Sequence, residues 1–425
     1  MQLTKGFKTL KAFTAITTLT YGSFLLSGCG GDPAEAEWED FYIYNSNHLM
    51  NSDVSVVDNS GNVIVSGDEL SPQPTPSNYV KNLHVVKYSQ EGHLLWSNSY
   101  DFSDAGERHD EKAEDMQIDI NNNIYIAGRL YHPGHELGSY GSFLLKLDTN
   151  GELVWYRHIA DLDPTFSSLS RDLELKNQLI YLAGNATKVF DLDGEEILSI
   201  DHGSNFVTNV DADNQGKIYS SGANFTSKHS PTGEEIWVIQ NPENLGPLPD
   251  LALSQNDNSI ITAHSNADGD TLLSKITTEG EVSWTRTITK PSSSAGAISG
   301  HPKLAVDNND NVFVINSHAD GRKLVKLSPS GNELWNKSNS AGIVTTLIAS
   351  PDGGVYAYGA SEGGKMDSQG NILLEIGKPN HSRYAGTSTG KGSMAVDGNN
   401  VFVTTTVYLK NPDEARIYTA KFVTQ

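Results

Sequence analysis

Short apolar runs recur along the chain from about residue 50 onward, and each run is bounded by Gly, Asp, Asn or Ser. The clearest recurring unit contains a glycine followed four residues later by Trp or Leu. A lysine precedes this glycine by five residues in six copies, and Lys188 precedes Gly194 by six. Each copy predicts a strand, a tight turn that needs a positive φ, and a second strand. The glycines and their partners are Gly92 and Trp96, Gly151 and Trp155, Gly194 and Leu198, Gly233 and Trp237, Gly280 and Trp284, Gly331 and Trp335, and Gly370 and Leu374.

A second hairpin lies upstream of each such unit. Its signature is a short β-branched or aromatic run after an Asp, Asn or Gly turn, as in Asn311-Val312-Phe313-Val314. Two hairpins make four strands, and the average period from Gly92 to Gly370 is about 46 residues. Four short strands at that spacing are typical of a β-propeller blade. The copies lie at 62–65, 123–126, 179–182, 217–220, 259–262, 311–314, 354–357 and 400–403.

The two ends of the repeat array are complementary. The eighth unit stops after the strand at 420–423, and the segment Glu37–Tyr44 carries the sixth tryptophan outside any other unit. We expect this segment to supply the outermost strand of the last blade, because a closed ring leaves no open end. The fold class is therefore predicted as all-β, a single propeller of eight four-stranded blades over residues 38–425. A seven-bladed ring is the alternative, since the third and fourth units are short.

We predict structural roles for the repeated tryptophan, the repeated lysine and the Asp-rich turns. The tryptophans occupy identical positions in their blades, which favours packing between blades over ligand stacking. The recurring lysines are interpreted as exposed residues of the repeat consensus. The Asp-rich turns are explained by turn chemistry, because they lack the twelfth-position Glu of a calcium loop.

The N-terminus reads as an export signal. Lys5, Lys8 and Lys11 precede a moderately apolar stretch that is too short to span a membrane. It ends in Leu26-Ser27-Gly28-Cys29, which resembles a bacterial lipobox. This resemblance implies a signal peptide at 1–28, a lipidated Cys29 and a short linker at 29–37. Gly30 after the cysteine implies outer-membrane sorting, with either the periplasm or the cell surface as the exposed side. An ordinary signal peptide with a chance cysteine is the alternative.

Charge and cysteine usage narrow the possible partners. The formal net charge is −22, which excludes the basic footprint of a nucleic-acid-binding protein. An acidic protein must attach to a membrane through an anchor rather than a basic patch. The single cysteine allows no internal disulfide. We expect a monomer.

Two stretches carry a family resemblance. Residues 119–128, followed by 143–155, resemble the bacterial SBBP-type propeller repeat. The Leu-x-x-x-Gly-x-x-Leu-Trp ending is similar to the PQQ-like repeat of quinoprotein dehydrogenases and of the outer-membrane barrel-assembly propeller lipoprotein. The resemblance covers most of residues 50–425 and implies the fold, but it is silent on function. The vicinal cysteine pair of quinoprotein enzymes is absent from the sequence, so no cofactor is expected.

Candidate binding residues lie in connections of variable length, which should crowd onto one rim of a propeller. These connections are predicted at 67–82, 99–114, 129–141, 159–169, 240–249, 287–300 and 377–392. Two of them are rich in polar groups, 101–115 and 131–136. No metal site is assigned, because Pro133-Gly134 separates the His and Glu side chains that could bind one. The candidate residues are Asp104, Arg108, His109, Tyr131, His132, His135 and Glu136.

Three functions remain open from the sequence. The leading hypothesis is a non-enzymatic binding or scaffold lipoprotein that docks an envelope protein or a glycan. A polysaccharide lyase or hydrolase is the second, although no Gly-x-Ser-x-Gly nucleophile motif occurs and no catalytic residue is assigned. An outer-membrane assembly factor is the third. Fold analogy alone does not separate them.

Overall fold

A computed structural model describes most of the chain after residue 32. The described residues are 33–44, 49–72, 79–102, 110–132, 139–159, 172–203, 205–242, 245–246, 248–289, 301–318, 321–339, 344–359, 362–379, 384–387, 392–409 and 415–424. Cys29 lies outside these ranges, so its predicted lipidation remains a prediction. Within the described ranges, no helix has the length and apolar character needed to cross a membrane.

The described residues form strands joined by turns, and the strands are numbered here in chain order. They are β1 (Trp38–Tyr42), β2 (Leu49–Val57), β3 (Val63–Pro72), β4 (Tyr79–Tyr88), β5 (Leu94–Tyr100), β6 (Asp110–Ile118), β7 (Ile124–His132), β8 (Ser139–Leu147), β9 (Leu153–Ile159), β10 (Leu173–Lys176), β11 (Leu179–Leu182), β12 (Ala186–Asp191), β13 (Glu196–Asp201), β14 (Asn209–Ala212), β15 (Ile218–Ser221), β16 (Phe225–His229), β17 (Glu235–Gln240), β18 (Asp250–Leu253), β19 (Ile260–Ser265), β20 (Thr271–Ile276), β21 (Val282–Ile288), β22 (Lys303–Val306), β23 (Val312–His318), β24 (Gly321–Leu327), β25 (Glu333–Asn339), β26 (Thr346–Ala349), β27 (Val355–Gly359), β28 (Glu362–Met366), β29 (Ile372–Ile376), β30 (Tyr384–Thr387), β31 (Ser393–Asp397), β32 (Asn400–Leu409) and β33 (Ala415–Val423).

These strands build eight antiparallel sheets arranged as the blades of a ring. Blades 1 to 7 each contain four consecutive strands, beginning with β2–β5 and ending with β26–β29. Apolar side chains alternate along the strands and pack against both neighbouring blades. Ile126 of blade 2, for example, contacts the cluster around Val85 of blade 1, whereas Tyr125 faces blade 3. The eight-bladed prediction is confirmed, and the short third and fourth units are complete blades.

Blade 8 joins the two ends of the chain. Strand β1 pairs antiparallel with β33, so that Trp38 lies opposite Lys421 and Tyr42 opposite Ile417. On the other side of β33 lies β32, and both β30 and β31 pair with β32. The predicted closure by the N-terminal strand is confirmed. The sheet edge that β33 would otherwise leave open is covered.

The turn between the third and fourth strands of each blade explains the repeated glycine. All seven turn glycines have φ between 77° and 87°. In blade 2, the Asp148 carboxylate accepts hydrogen bonds from the backbone amides of Asn150 and Glu152, at 2.8 and 2.9 Å. A one-residue bulge directly follows the preceding lysine in six of these hairpins and follows Val189 in blade 3, as expected for a turn that ends in a left-handed residue. Turn chemistry thus accounts for the polar residues at these turns.

Each tryptophan of the repeat packs on the turn glycine of the next blade. A Cβ atom placed on Gly280 would lie 2.9 Å from the ring of Trp237. The Trp237 indole N–H donates to the Thr278 carbonyl at 3.0 Å. Trp38 of blade 8 makes the same contact with Gly92 of blade 1, and its indole donates to the Gln90 carbonyl at 2.9 Å. The prediction of packing between blades is confirmed, and the same contact closes the ring.

The repeated lysines are not surface residues, contrary to the prediction. The Lys87 ammonium pairs with the buried Asp58 carboxylate at 2.7 Å and also reaches the Thr149 carbonyl of blade 2. Lys326 donates to the Gly353 carbonyl of the next blade at 2.7 Å. A lysine stem is apolar and packs between blades, while its ammonium group binds carbonyl and carboxylate oxygens at the turn. Five of these lysines are buried, namely Lys87, Lys228, Lys275, Lys326 and Lys365.

The ring has two different faces. At one face, called here the short-turn face, tight turns join the first to the second strand and the third to the fourth. At the other, the long-connection face, the second strand leads to the third and each blade leads to the next. The segments 67–82 and 129–141 were predicted as loops, but most of their described residues are strand: β3 runs to Pro72, β4 starts at Tyr79, and β7 runs to His132. Antiparallel backbone pairing along the β3–β4 and β7–β8 hairpins keeps these residues extended.

Candidate functional site

The long-connection face is raised on one side of the ring. Blades 8, 1 and 2 are neighbours, and their central hairpins contain nine, ten and nine cross-strand residue pairs. In blades 3 to 7 the same hairpin contains four to seven cross-strand residue pairs. We call the outer ends of the three long hairpins the crown, which comprises 67–72, 79–84, 128–132, 139–143, 405–409 and 415–418. Each residue of a strand adds about 3.3 Å, so the crown rises about 10 Å or more above the shortest blades.

The base of the crown contains a buried charged cluster between blades 1 and 2. The Lys112 ammonium lies 2.7 Å from the Asp53 carboxylate, and Asp68 lies beside them. Burial and the negative charge of Asp53 raise the pKa of Asp68 to about 8. Burial opposes the charged form of Lys112, but the two carboxylates outweigh it and raise the pKa of this lysine. The cluster therefore holds the two blades together, and burial beside Asp53 shifts Asp68 toward its protonated form.

The two stretches singled out in the sequence meet on the crown. Asp110 of β6 lies directly opposite Tyr131 of β7 in blade 2, and the Asp110 carboxylate accepts a hydrogen bond from the Lys81 amide of blade 1 at 3.3 Å. His132 is the last residue of β7, so it stands at the end of this hairpin. Asp104, Arg108, His109, His135 and Glu136 lie outside the described residues, and their assignment remains a prediction.

A second buried polar network joins blade 8 to blade 1 within the crown. The Tyr42 hydroxyl lies 3.0 Å from His84 Nε2, and the His84 Nδ1 atom lies 3.8 Å from the Glu69 carboxylate. The Ser99 hydroxyl donates to Glu69 at 2.5 Å. Burial lowers the pKa of His84 to about 3 and raises that of Tyr42 to about 12. Both rings are buried, and their contact fixes β1 of blade 8 against blade 1.

Carboxylates on the innermost strands connect successive blades around the central channel. Asp115 accepts from the Leu173 amide at 2.9 Å, Asp172 from the Val210 amide at 2.8 Å, and Asp250 from the Leu304 amide at 2.7 Å. The same position in blade 8 is Ser393, whose hydroxyl accepts from the Ser55 amide at 3.0 Å.

Burial raises the pKa of several carboxyl groups along the channel. Burial raises the pKa of Asp172 and Asp250, and the charge of Asp115 adds to the effect on Asp172. The pKa of Glu174 rises to about 8 and that of Asp211 to about 6, again chiefly because of burial. The wall of the channel thus serves as a set of inter-blade clamps. In the part of the chain that the structure describes, no three His, Cys, Asp or Glu side chains are grouped so that they could hold a metal ion.

The outer strands carry a feature that the sequence reasoning missed. The residue just before the Trp or Leu of the repeat is apolar in six blades, and these six side chains are 45–54% exposed. Each belongs to the last strand of its sheet. The Leu-Trp and Val-Trp pairs in the sequence were the available signal. We call this set the apolar belt: Leu95, Val154, Ile197, Ile236, Leu334 and Leu373.

A cleft of about 620 Å³ opens between blades 3 and 4 on the short-turn face. Its lining includes Leu198 and Pro231, and Leu198 packs on Gly233 where other blades place an indole. The smaller side chain at this junction accounts for the open space.

Comparison with known proteins agrees with the architecture. Sqt1 of Saccharomyces cerevisiae superposes with a TM-score of 0.58 at 10% identity, covering 91% of this chain and 98% of its own. A protein of unknown function from Bacteroides caccae (TM-score 0.38, 14% identity, 59% of this chain and 93% of its own) and the Dos1 propeller (0.44, 12%, 75% and 86%) superpose less well. No curated protein sequence matches the chain.

One family model matches residues 142–406, which is more than half of the chain, and its description is outer membrane protein assembly factor BamB. The matched region runs from blade 2 into blade 8 and includes the Gly-to-Trp hairpins of blades 2 to 7. This chain therefore belongs to the family described as outer membrane protein assembly factor BamB.

Proposed function

We propose that this protein is a non-enzymatic scaffold of the bacterial envelope, anchored through a lipidated Cys29, that docks a protein partner on the crown. The observation that carries the proposal is the crown itself. Three adjacent blades extend their central hairpins on one face, whereas the rest of the ring does not. A rigid, asymmetric projection on a symmetric ring is the kind of surface on which binding residues are usually presented.

The use of the titratable groups supports binding rather than catalysis. Lys112 pairs with Asp53, His84 contacts Tyr42, and Asp172 binds a backbone amide of the next blade. These groups are engaged in joining blades, and a general acid or base must instead reach a substrate. A glycan ligand and a polysaccharide-degrading activity are the alternatives that an experiment must separate.

The family description favours one kind of partner, the proteins that assemble the outer membrane. Outer-membrane proteins are barrels built from β-strands. An edge strand can accept a strand from another chain, and the apolar belt lies on such edges. Assembly of outer-membrane proteins is therefore our second, more specific proposal.

Site-specific crosslinking tests the crown. A photo-crosslinking amino acid is placed at Tyr131 on the crown or at Ile120, an exposed residue on the short-turn face of the same blade. In cells, the Tyr131 position should give a defined crosslinked protein that mass spectrometry identifies, and the Ile120 position should not. Equal crosslinking from both positions would contradict docking on the crown.

Two further measurements separate the alternatives. A glycan array and a reducing-end assay with envelope polysaccharides, both on the purified soluble protein from residue 30 onward, report glycan binding and polymer cleavage. Incorporation of a palmitate analogue should be lost in Cys29→Ser. Equal incorporation in the variant and the wild type would remove the anchoring part of the proposal.

A further inference from the structure

The position of the first described residues shows where the N-terminal segment meets the ring. Pro33 packs against Gly377, where an added Cβ would lie 3.1 Å from the proline ring. The Ala34 amide donates to the Glu375 carbonyl at 2.8 Å. Glu375 belongs to β29, the outer strand of blade 7, and Gly377 directly follows that strand at its long-connection end. The chain therefore reaches the propeller at the long-connection rim.

From there the chain crosses the outer wall and turns back. The Glu37 amide donates to the Lys421 carbonyl at 2.8 Å, and Trp38 pairs with Lys421 near the short-turn end of β33. Strand β1 then runs back toward the long-connection face. The entry point at the long-connection rim is thus fixed by the contacts of Pro33 and Ala34 with blade 7, and blade 8 is met only near its short-turn end.

The reach of the segment before Pro33 is short. Cys29 precedes Pro33 by four residues, and a fully extended chain of that length spans at most about 14 Å. The two rims are separated by at least the length of β29, which is about 17 Å for five residues. An acyl chain on Cys29 therefore holds the bilayer close to the long-connection rim of blades 7 and 8.

The sequence of one connection at this rim is basic, which is compatible with lipid headgroups. Residues 377–392 contain Lys378, Arg383 and Lys391 and no Asp or Glu, in a chain whose net charge is −22. Lys378 at the end of blade 7 is well exposed, and its ammonium group also lies 3.3 Å from the Glu362 carboxylate. Each basic residue near an anionic membrane surface contributes about 1 kcal/mol of attraction.

We propose that the long-connection rim of blades 7 and 8 lies against the lipid headgroups, so that the crown is held on the membrane side and the short-turn face points away. This inference rests on the proposed lipidation of Cys29. It adds an orientation: a partner of the crown is bound at the membrane surface, and the cleft between blades 3 and 4 faces the aqueous space.

Fluorescence quenching in vesicles tests the orientation. The lipidated protein is reconstituted into phosphatidylethanolamine and phosphatidylglycerol vesicles that contain a lipid with a nitroxide headgroup. Acylated Cys29 offers no free thiol, so a single fluorophore can be attached to Lys378→Cys at the long-connection rim or to Gln369→Cys at the short-turn rim of the same blade. Quenching by the nitroxide lipid should remove most of the fluorescence at 378 and leave that at 369 unchanged.

The outcomes separate the two proposals. Stronger quenching at 369 than at 378, or equal quenching at both, overturns the orientation while the anchor stands. Failure of the wild-type protein to float with the vesicles overturns the anchor and, with it, the orientation. A Cys29→Ser form of each labelled variant should not float and should show no quenching.

Discussion

At the scale of single residues, one contact repeats around the ring and sets the spacing of the blades. An indole lies flat on a turn glycine of the next blade and donates to a carbonyl of the same turn, as Trp284 does with Gly331 and Pro329. Glycine is required at this position for two reasons: its φ is positive, and a Cβ atom would overlap the indole ring. One residue type thus serves the turn and the junction together.

Gly280→Ala tests this double requirement. The new methyl group would meet the Trp237 ring while the residue keeps φ at 87°. We expect the left-handed conformation to cost about 1–2 kcal/mol and the overlap to add about 1–3 kcal/mol. Denaturant unfolding measures the loss of stability.

The matched control is Gly398→Ala, at a positive φ with nothing within 4 Å of the added Cβ. It should show the conformational cost alone. If Gly280→Ala costs no more than Gly398→Ala, the indole does not need the glycine.

The roles of the glycine and the tryptophan were predicted correctly, whereas the burial of the lysine was not. The difference is whether the requirement is local in sequence. A turn that needs a positive φ leaves a glycine at a fixed spacing, and this spacing is visible in one sequence. The burial of Lys326 depends instead on the Gly353 carbonyl and on Asp307 at 3.6 Å, which only the folded ring brings together. A lysine in a hairpin looks the same whether its ammonium faces water or the next blade.

At the scale of strands, β1 completes a sheet whose other members lie at the opposite end of the chain. Trp38→Ala removes the contact with Gly92 and the bond to the Gln90 carbonyl. We expect a loss of up to about 3 kcal/mol in the free energy of unfolding. Because β1 has no covalent neighbour in its blade, the variant should also speed amide exchange in 417–421 of β33.

Trp284→Ala is the control, since it removes the same contact at a junction inside the continuous chain. It should lower global stability without selective exchange in β33. Selective exchange in both variants, or in neither, would show that β1 is not the weak point of the ring.

The junction between blades 3 and 4 offers a stabilising change. Leu198→Trp should place an indole over Gly233 and fill part of the cleft, raising stability by about 0.5–2 kcal/mol. The melting temperature reports the gain. The control is Leu374→Trp, where the leucine is already buried in a cluster that includes Ala34 and Ala36. There a larger side chain should destabilise, and a gain at position 374 would show that a Trp is favoured whatever the space.

The crown could not be predicted from the pattern of single strands. Residues such as Ser66-Gly67-Asp68-Glu69 look like a loop, because four polar or small residues in a row break the alternation expected of a strand. They are strand because β4 of the same blade pairs with them along the hairpin, and because Lys112 of blade 2 faces the buried Asp68. Buried polar pairs between blades carry no local sequence signal.

At the scale of the whole molecule, buried carboxylates make stability depend on pH. Burial, aided by the charge of Asp101, raises the pKa of Glu111 to about 8. Above the pKa of the unfolded chain, near 4.5, the folded protein keeps a proton that the unfolded chain has lost. The contribution of Glu111 to the free energy of unfolding is therefore greatest below that value and falls as pH rises toward about 8. The folded protein should lose stability between pH 6.5 and 8.5.

Glu111→Gln should reduce this decline, because the amide stays neutral over the whole range. Melting temperatures at pH 6.5 and 8.5 give the slope for each protein. The exposed Glu91, whose pKa is lowered by the Ser89 hydroxyl, provides the control variant Glu91→Gln, which should keep the wild-type slope. Equal slopes in the wild type and Glu111→Gln would show that Glu111 is ionised in the folded protein.

The pairing of the first strand with the last determines when the ring can close during synthesis. The Tyr418 hydroxyl donates to Glu39 across 379 positions of sequence. Translation at 5–20 residues per second places roughly 20–80 s between the synthesis of those two residues. The segment that is synthesised first must wait for the one that is synthesised last, and a product truncated before β33 has no partner for β1. Completion of translation is thereby a condition for closing the ring.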